Sequence, residues 1–187
     1  GAESVYCEYA SKFGSFIEHF TCADIDFKKS PEHTAKICEV IAMCGNVNHV
    51  VIDECTMNSA SLQRLVHTMS NLPHLKELHV VNFYKLITAD STAVSLMNLQ
   101  LPLHKLVLTC NLTTVAYLLL QYCSPKYLQV LEVEADHPFV FNQLLILLPH
   151  CHDLTTLGFD GAVDNDALNM LLPLCPQLQN LDLCNAQ

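Results

Sequence analysis

The densest group of metal-ligating side chains in the sequence is the tripeptide His150-Cys151-His152. Imidazole and thiolate are donors that zinc prefers, but a tetrahedral structural site needs four of them. The other ligands would have to come from distant parts of the chain, and no C-x-x-C pair occurs anywhere to supply them. We therefore expect no metal site.

Motifs for catalysis are missing. The sequence contains no G-x-G-x-x-G, no P-loop, no H-E-x-x-H and no G-x-S-x-G, and its five glycines leave little room for a phosphate-binding loop. Cys123 or Cys151 as a nucleophile would need a positioned base and a lowered pKa, of which the sequence gives no sign. We expect a protein that is not an enzyme and uses no cofactor.

Composition and charge narrow the remaining classes. Of 187 residues, 51% are hydrophobic and 15% are charged, which excludes a disordered chain. No apolar run reaches the ~20 residues of a membrane-spanning helix. The net charge of −10 argues against nucleic acid as a partner, because that binding relies on Lys and Arg. We interpret the ten cysteines as reduced, buried apolar residues, which favours the cytoplasm or the nucleus.

A leucine pattern recurs along most of the chain. Its form is L-x-x-L-x-L, with Val, Ile or Phe also allowed. The six clear copies begin at Val47, Leu75, Leu103, Leu128, Leu154 and Leu178. They are separated by steps of 28, 28, 25, 26 and 24 residues, and a weaker copy, Phe20-x-x-Ala23-x-Ile25, lies 27 residues before the first. Such regular steps indicate a repeat architecture.

Each repeat combines a short strand with a helix. The alternation in Leu106-Val107-Leu108 is typical of a strand with one buried face. Apolar residues between the strands have helical spacing and predict helices over 61–69, 113–123, 139–148 and 166–172. Neither element buries its apolar side alone, so the units must stack. We predict an α/β fold: a curved solenoid of about seven repeats, with a parallel sheet on the concave side and helices on the convex side.

The repeat resembles that of the leucine-rich-repeat superfamily, from about Phe20 to the end of the chain. It is most similar to the cysteine-containing type found in F-box/leucine-rich-repeat proteins, whose unit begins C-P-x-L-x-x-L-x-L, as Cys175-Pro176-Gln177-Leu178 does here. Cys44 and Cys151 hold the same place, three residues before the first leucine position. The resemblance implies a module that recognises substrate or partner proteins, as in ubiquitin-ligase receptors.

The two ends of the chain differ from the repeats. Residues 1–19 are predicted to form an N-terminal capping helix, and residues 20–187 the solenoid. Four residues follow the last strand pattern, Leu181 to Leu183, which leaves an open strand edge. Either the chain is a fragment of a longer array or a partner covers that edge, and we favour the fragment because bare edges are costly.

The outward positions of the predicted strands are rich in acids. Four positions in each of seven units should point away from the helices. These 28 positions hold one basic residue, Lys105, and nine of the chain's 19 acids, namely Asp24, Asp26, Asp53, Glu54, Glu77, Glu132, Glu134, Asp160 and Asp182. Because like charges on neighbouring strands repel, we hypothesise that this face binds a Lys/Arg-rich protein segment. The alternative is that the acids keep an open sheet soluble and deter edge pairing.

Apolar side chains and histidines are predicted on the same face. Val51, Val81, Val107 and Val130, together with His79, would form the dry centre of an interface, or would be buried within the monomer. His49, His79 and His104 lie on or beside successive strands and could stack in a ladder with a pH-sensitive contact. Asn111-Leu112-Thr113 fits a glycosylation sequon, but without a sign of secretion we give it no role.

Taken together, the patterns predict an intracellular, non-catalytic protein-interaction module with a protein partner and neither nucleic acid nor membrane. Two alternatives stay open. One is a structural scaffold or assembly subunit that docks a partner through its last strand. The other is a sensor domain of an immune or effector protein.

Overall fold

Nine strands lie in the part of the chain that the computed structural model describes, which comprises residues 2–27, 31–82, 85–87, 100–109, 119–134, 144–160 and 164–184. Their bounds are β1 His19–Ala23, β2 His49–Asp53, β3 Thr56–Asn58, β4 Glu77–Val81, β5 Lys85–Ile87, β6 Lys105–Thr109, β7 Val130–Glu134, β8 Thr156–Asp160 and β9 Asn180–Cys184. Seven of them form one parallel sheet in the order β1-β2-β4-β6-β7-β8-β9, and β3 pairs with β5 in a small second sheet.

The helices precede or follow these strands in alternation. Their bounds are α1 Ala2–Phe13, α2 Pro31–Met43, α3 Ser59–Ser70 and α4 Asn165–Leu171. Helical turns also occupy 119–122 and 144–147. Short 3₁₀ helices lie at Gly14–Phe16, Pro125–Tyr127, Leu148–His150 and Leu172–Leu174. Side-chain caps fix two of the starts, because Asn58 accepts a hydrogen bond from the Ser61 N–H and Asp164 accepts one from the Ala167 N–H.

The core lies between the sheet and the helices. Second and fourth residues of the inner strands, such as Val50 and Ile52, are fully buried, while the first, third and fifth are mostly half-buried. The seven cysteines whose side chains are described are free and buried, which confirms the prediction that they act as core residues; they are Cys22, Cys38, Cys44, Cys55, Cys123, Cys151 and Cys175.

One hydrogen-bond pattern repeats from strand to strand. A main-chain carbonyl just before each strand accepts hydrogen bonds from two successive N–H groups of the next unit, as Asn48 does from Lys76 and Glu77. The six carbonyls of this row belong to Glu18, Asn48, Lys76, His104, Gln129 and Thr155. Each lies one residue after the first leucine position of its unit, so the pattern places the copies in one register.

The first unit begins three residues earlier than the sequence predicts. Phe20 pairs with Val50, and Cys22 pairs with Ile52, so the first copy is Ile17-x-x-Phe20-x-Cys22. The predicted frame, Phe20-x-x-Ala23-x-Ile25, is wrong because Ile25 lies beyond the end of β1. The helix of the N-terminal segment ends at Phe13, and His19 already belongs to β1.

The parallel α/β architecture predicted from the sequence is confirmed. Helices α3 and α4 match the predicted segments 61–69 and 166–172 within two residues. The predicted segments over 113–118 and 139–143 and the sequon at Asn111 lie outside the described residues. Among the helices that are described, none is both long and apolar enough to cross a membrane.

Candidate functional site: the open face of the sheet

The sheet presents one face that is only partly buried, and we call it the open face. It consists of the first, third and fifth residues of each of the seven strands, for example His49, Val51 and Asp53 of β2. Parallel pairing sets residues of the same rank side by side, so the third residues His79, Val107 and Glu132 are neighbours. The open face therefore places side chains from units about 25–30 residues apart in direct contact.

Three histidines from three strands are stacked on the open face. The Nδ1 atoms of His19 and His49 lie 3.1 Å apart at hydrogen-bond distance, with the rings edge to face. The ring centroids of His49 and His79 are separated by 4.4 Å. We call these three residues, with Glu77, the histidine cluster.

Glu77 brings a carboxylate to the same point. It is the neighbour of His49 across the β2–β4 pair, and its Oε2 atom lies 3.8 Å from Nε2 of His79. One ligand atom from each of His49, Glu77 and His79 lies within 4.8 Å of the other two. The Nε2 atoms of both histidines are buried, with no hydrogen-bond partner among the residues that the structure describes.

His49 and His79 favour the neutral state. Burial lowers the pKa of His49, and His19 and Lys105 lower it further, while Glu77 raises it. Burial likewise lowers the pKa of His79, with His49 and Lys105 acting in the same direction and the carboxylates opposing. Because the neutral ring predominates at neutral pH, the contact of His79 with Glu77 is not an ion pair there.

Lys105 marks the boundary between the cluster and the acidic part of the open face. Its Nζ atom lies 3.2 Å from Oε1 of Glu132 on the next strand. Beyond it, the carboxylate half of the open face carries Glu132, Glu134, Asp160 and Asp182 on β7, β8 and β9. The described outward positions of these three strands hold no Lys, Arg or His.

A second group of polar residues lies at the carboxyl ends of β1, β2 and β4. Asp24, Glu54 and Asn82 follow these strands at equivalent positions, and all three have left-handed backbones with φ of 55°, 50° and 50°. The Asn82 side chain donates a hydrogen bond to Oδ1 of Asp53 at 3.0 Å. A hydrogen bond with Asp24 raises the pKa of Glu54, and the charge of Asp24 acts in the same direction.

The corrected frame moves two predicted site residues off the open face. Asp24 lies in the turn after β1 instead of on the strand. Asp26 forms a bridge with Thr56, whose hydroxyl donates to Oδ1 of Asp26 at 2.9 Å, so Asp26 lies beside the small sheet. Both were misplaced because the predicted strand frame began three residues too late.

The predicted apolar centre is partly wrong as well. Val107 is only 6% exposed, and its neighbours of the same rank on the two adjacent strands are His79 and Glu132. Val51, Val81 and Val130 are partly exposed as predicted. Of the predicted acids, Asp53, Glu54, Glu77, Glu132, Glu134 and Asp182 are described at least partly exposed, whereas the side chain of Asp160 lies outside the description.

Three histidines stack on neighbouring strands as predicted, but the third one is His19 and not His104. His104 precedes β6, and its carbonyl belongs to the repeating row, whereas His19 of β1 completes the stack. His19 holds the same rank in its strand as His49. The signal that finds it is the correct frame of the first repeat.

The cysteines and histidines singled out first in the sequence lie in different surroundings. His150 and His152 are exposed, while Cys151 is buried. Burial raises the pKa of Cys151 and that of Cys123 to about 12, so both thiols are protonated at neutral pH. A protonated thiol is a poor nucleophile.

Comparison with known proteins assigns no family to the chain. No protein-family model matches the sequence, and no curated protein matches it. Among solved structures, the fold is similar to the tropomodulin C-terminal domain of Caenorhabditis elegans, with a TM-score of 0.49 and 10% identity over 95% of this chain and 93% of that chain. At this level the likeness identifies neither a family nor a function.

Proposed function

We propose that the chain is a leucine-rich-repeat solenoid of about seven units and works as a non-catalytic protein-interaction module. On this proposal the open face binds a Lys/Arg-rich segment of a partner protein. The observation that carries it is the charge of the open face, where six of the 21 outward positions are acids and one is a lysine. The six acids are Asp53, Glu77, Glu132, Glu134, Asp160 and Asp182.

The solenoid interpretation is supported by the repeating main-chain pattern. Seven strands pair in chain order, and the same double hydrogen bond recurs at each step. Arrays of this kind bind partners across the extended surface that stacked units create.

The charge pattern favours a basic partner for a physical reason. Like charges on neighbouring strands destabilise a sheet. Lys105, the lysine of the open face, is already paired with Glu132, which leaves the excess of negative charge concentrated on β7–β9. A basic segment across these strands would offset that repulsion. The partly exposed Val51, Val81 and Val130 would supply apolar contacts. Asp24, Glu54 and His79 would complete the surface.

A peptide-binding experiment with matched charge variants tests the proposal. The variant Glu134→Gln/Asp160→Asn/Asp182→Asn should bind a fluorescent Lys/Arg-rich peptide at least about tenfold more weakly than the wild type at low salt, and with a smaller salt dependence. The control Glu32→Gln/Glu39→Gln/Asp166→Asn removes the same charge from exposed acids on α2 and α4. It should bind almost as the wild type does.

Equal loss in the two triple variants would show a non-specific effect of net charge and reject the docking surface. Unchanged peptide binding combined with aggregation of the Glu134→Gln/Asp160→Asn/Asp182→Asn variant would support the alternative that the acids serve solubility. A peptide with Gln at every basic position serves as the second control.

The narrower role in a ubiquitin ligase rests on the resemblance of Cys44, Cys151 and Cys175 to the cysteine-containing repeat. All three are buried at the turn before a strand, and each carbonyl accepts a hydrogen bond from the N–H three residues on. If the role is correct, the chain should promote ubiquitylation of its basic partner in cell extract. Binding without ubiquitylation would leave only the interaction module.

Assembly through β9 is a second candidate function. Leu181 is 39% exposed, whereas Leu157 at the equivalent position of β8 is fully buried. If β9 docks another chain, Leu181→Lys should abolish that assembly in light-scattering measurements and leave peptide binding unchanged. A wild-type chain that is monomeric at high concentration, and whose complex with the purified partner survives Leu181→Lys, would reject this candidate.

A further inference from the structure

We propose that His49, Glu77 and His79 bind a divalent transition metal of the zinc class on the open face, with His19 as a positioning residue. This site shares Glu77 and His79 with the proposed docking surface, but the observations that support it do not depend on peptide docking. The sequence predicted no metal site. His49 lies 28 residues before Glu77 and 30 residues before His79, and only the parallel register of β2 and β4 brings them together.

The donor geometry fits such an ion. The three ligand atoms lie within 4.8 Å of one another, and Oε2 of Glu77 is 3.8 Å from Nε2 of His79. Ligands about 2.0–2.1 Å from a tetrahedral zinc lie about 3.3 Å apart. Rotations that move each atom by about 1 Å would therefore bring the three to coordination distance, with a fourth position left for water or another ligand.

The donor types select the class of ion. Two imidazoles and one carboxylate suit Zn²⁺, Ni²⁺ and Cu²⁺, whereas Ca²⁺ and Mg²⁺ require mainly oxygen ligands. We therefore expect Zn²⁺ and its coloured analogue Co²⁺ to bind and Mg²⁺ not to compete.

The buried Nε2 atoms provide an independent indication of a ligand. Buried polar nitrogens are normally paired, yet neither Nε2 has a hydrogen-bond partner among the described residues. Both belong to rings whose side chains are otherwise partly exposed, as at His79 with 23%. A metal ion at this point would satisfy both atoms at once.

His19 can hold the ring of His49 in the form that a metal needs. In the hydrogen bond between the two Nδ1 atoms, His49 as donor keeps its proton on Nδ1 and exposes the lone pair of Nε2. Metal-bound histidines commonly donate their other ring N–H in this way, which fixes the tautomer and the ring orientation. The opposite assignment would leave a buried N–H of His49 without an acceptor.

The surrounding charges compete with each other. Glu77 supplies a negative charge to the ion, while the ammonium group of Lys105 opposes it and is itself held by Glu132. Burial keeps the pKa of both rings low, so few protons must be displaced at neutral pH. Affinity should fall on acidification because protons compete with the ion for the rings of His49 and His79. Glu77, Lys105 and Glu132 are the charged groups that face these rings, with the ring of His19 beside them.

Calorimetric titration of the full chain, first stripped with a chelator, tests the site. We expect one Zn²⁺ per chain, and His49→Gln or His79→Gln should lower the affinity more than about 100-fold, a larger loss than a positioning residue causes. His19→Gln should lower it about tenfold with the stoichiometry unchanged, and the nitrogen shifts of His49 should report a mixed tautomer. Lys105→Gln should tighten binding. His67→Gln and His152→Gln, at exposed positions outside the cluster, are the matched controls.

Several outcomes would overturn the site. They are the absence of Zn²⁺ binding at micromolar concentration, unchanged binding in His49→Gln/His79→Gln, or an equal loss in the two control variants. The double variant keeps every cysteine and the eight other histidines, so any binding that persists in it belongs to those side chains and not to the cluster. If a variant fails to fold, ring-nitrogen shifts of the wild type during Zn²⁺ addition decide the question, because only His49 and His79, with a smaller change at His19, should move.

Discussion

The open face has two halves that differ in chemistry although they are built from the same strand positions. On β1, β2 and β4 it carries His19, His49 and His79, whose burial lowers the pKa of His49 and His79. On β7, β8 and β9 it carries acids instead. Parallel register places residues of the same rank side by side, so one residue type repeated in successive units acts as a group. Burial favours the neutral state of His49 and His79, while the acids accumulate negative charge.

Strand β4 of the histidine half and strand β9 of the carboxylate half also differ in the burial of their inward side chains. The second residue of the strand is fully buried in β4, as Leu78, and 39% exposed in β9, as Leu181. Inner strands have neighbours on both sides, whereas β9 lies at the edge of the sheet. The halves should therefore respond differently to the same substitution.

The largest expected difference concerns these two leucines. Leu78→Ala should lower the free energy of unfolding by about 2–5 kcal/mol, because it removes a fully buried side chain. Leu181→Ala should cost about 1 kcal/mol or less, since a partly exposed leucine loses less buried area. Urea denaturation of both variants measures this, and equal losses would contradict the comparison.

Acidification should act on the histidine half. In the folded chain the pKa of His49 and that of His79 lie below the ordinary value of 6.5, so between the folded and unfolded values the unfolded chain binds more protons. Their contribution to stability is complete above pH 6.5 and declines as the pH falls through that window. His19, Glu77, Lys105 and Glu132 are the charged or titratable groups that face them.

Melting temperatures of chelator-treated protein between about pH 5.5 and about pH 7.5 (about one unit on each side of the ordinary value) check this expectation. His49→Gln/His79→Gln should flatten the decline, whereas Glu134→Gln/Asp182→Asn should not. If both double variants follow the wild-type curve, the pH response belongs to other histidines.

Lys105→Gln tests the connection between the two halves. The ion pair with Glu132 is partly exposed, so its loss should change the free energy of unfolding by less than about 1 kcal/mol. Because the charge of Lys105 lowers the pKa of His49 and that of His79, the substitution should raise both values. Titration by nuclear magnetic resonance measures these pKa values. Unchanged values would show that Lys105 does not couple the histidine half to the carboxylate half.

The smallest effect is expected at Gly158, in the carboxylate half. A Cβ atom there would lie 3.1 Å from Cγ of Glu132, a flexible side chain that can move by a few tenths of an ångström. Gly158→Ala should change stability by no more than about 1 kcal/mol, because the gain in strand propensity offsets the crowding. Displacement of Glu132 should weaken its contact with Lys105, and a crystal structure of the variant that retains 3.2 Å would show otherwise.

Much of the fold could be predicted because each unit has the same pattern of buried apolar positions. Leucines at Leu106, Leu131 and Leu157 specify buried strand positions independently, and all three are fully buried in adjacent strands. The first unit was misread because Phe20 and Cys22 replace leucines, and Ala23 and Ile25 offered a false alternative frame.

The sequence predicted the stacking of His49 and His79 but not the rest of the histidine cluster. A three-residue error in the frame hid His19, and the contact of His49 with Glu77 depends on register across 28 positions. Val107 is buried between two other strands, with His79 and Glu132 as its neighbours of the same rank, although its place in the repeat predicts an outward side chain. The repeat pattern predicts which face of the sheet a side chain lies on, whereas the neighbouring residues determine its exposure to solvent.

The row of carbonyls that each accept two hydrogen bonds has a consequence for engineering. Every rung of the row, from Glu18 to Thr155, makes the same pair of bonds to its successor. If a complete unit such as Leu103 to Tyr127 were removed or duplicated, the carbonyl before each strand would still meet two equivalent N–H groups of the next unit. A single extra residue within a strand would instead turn its inward side chains outward. The chain is thus editable in modules, and length is a variable that a designer can choose.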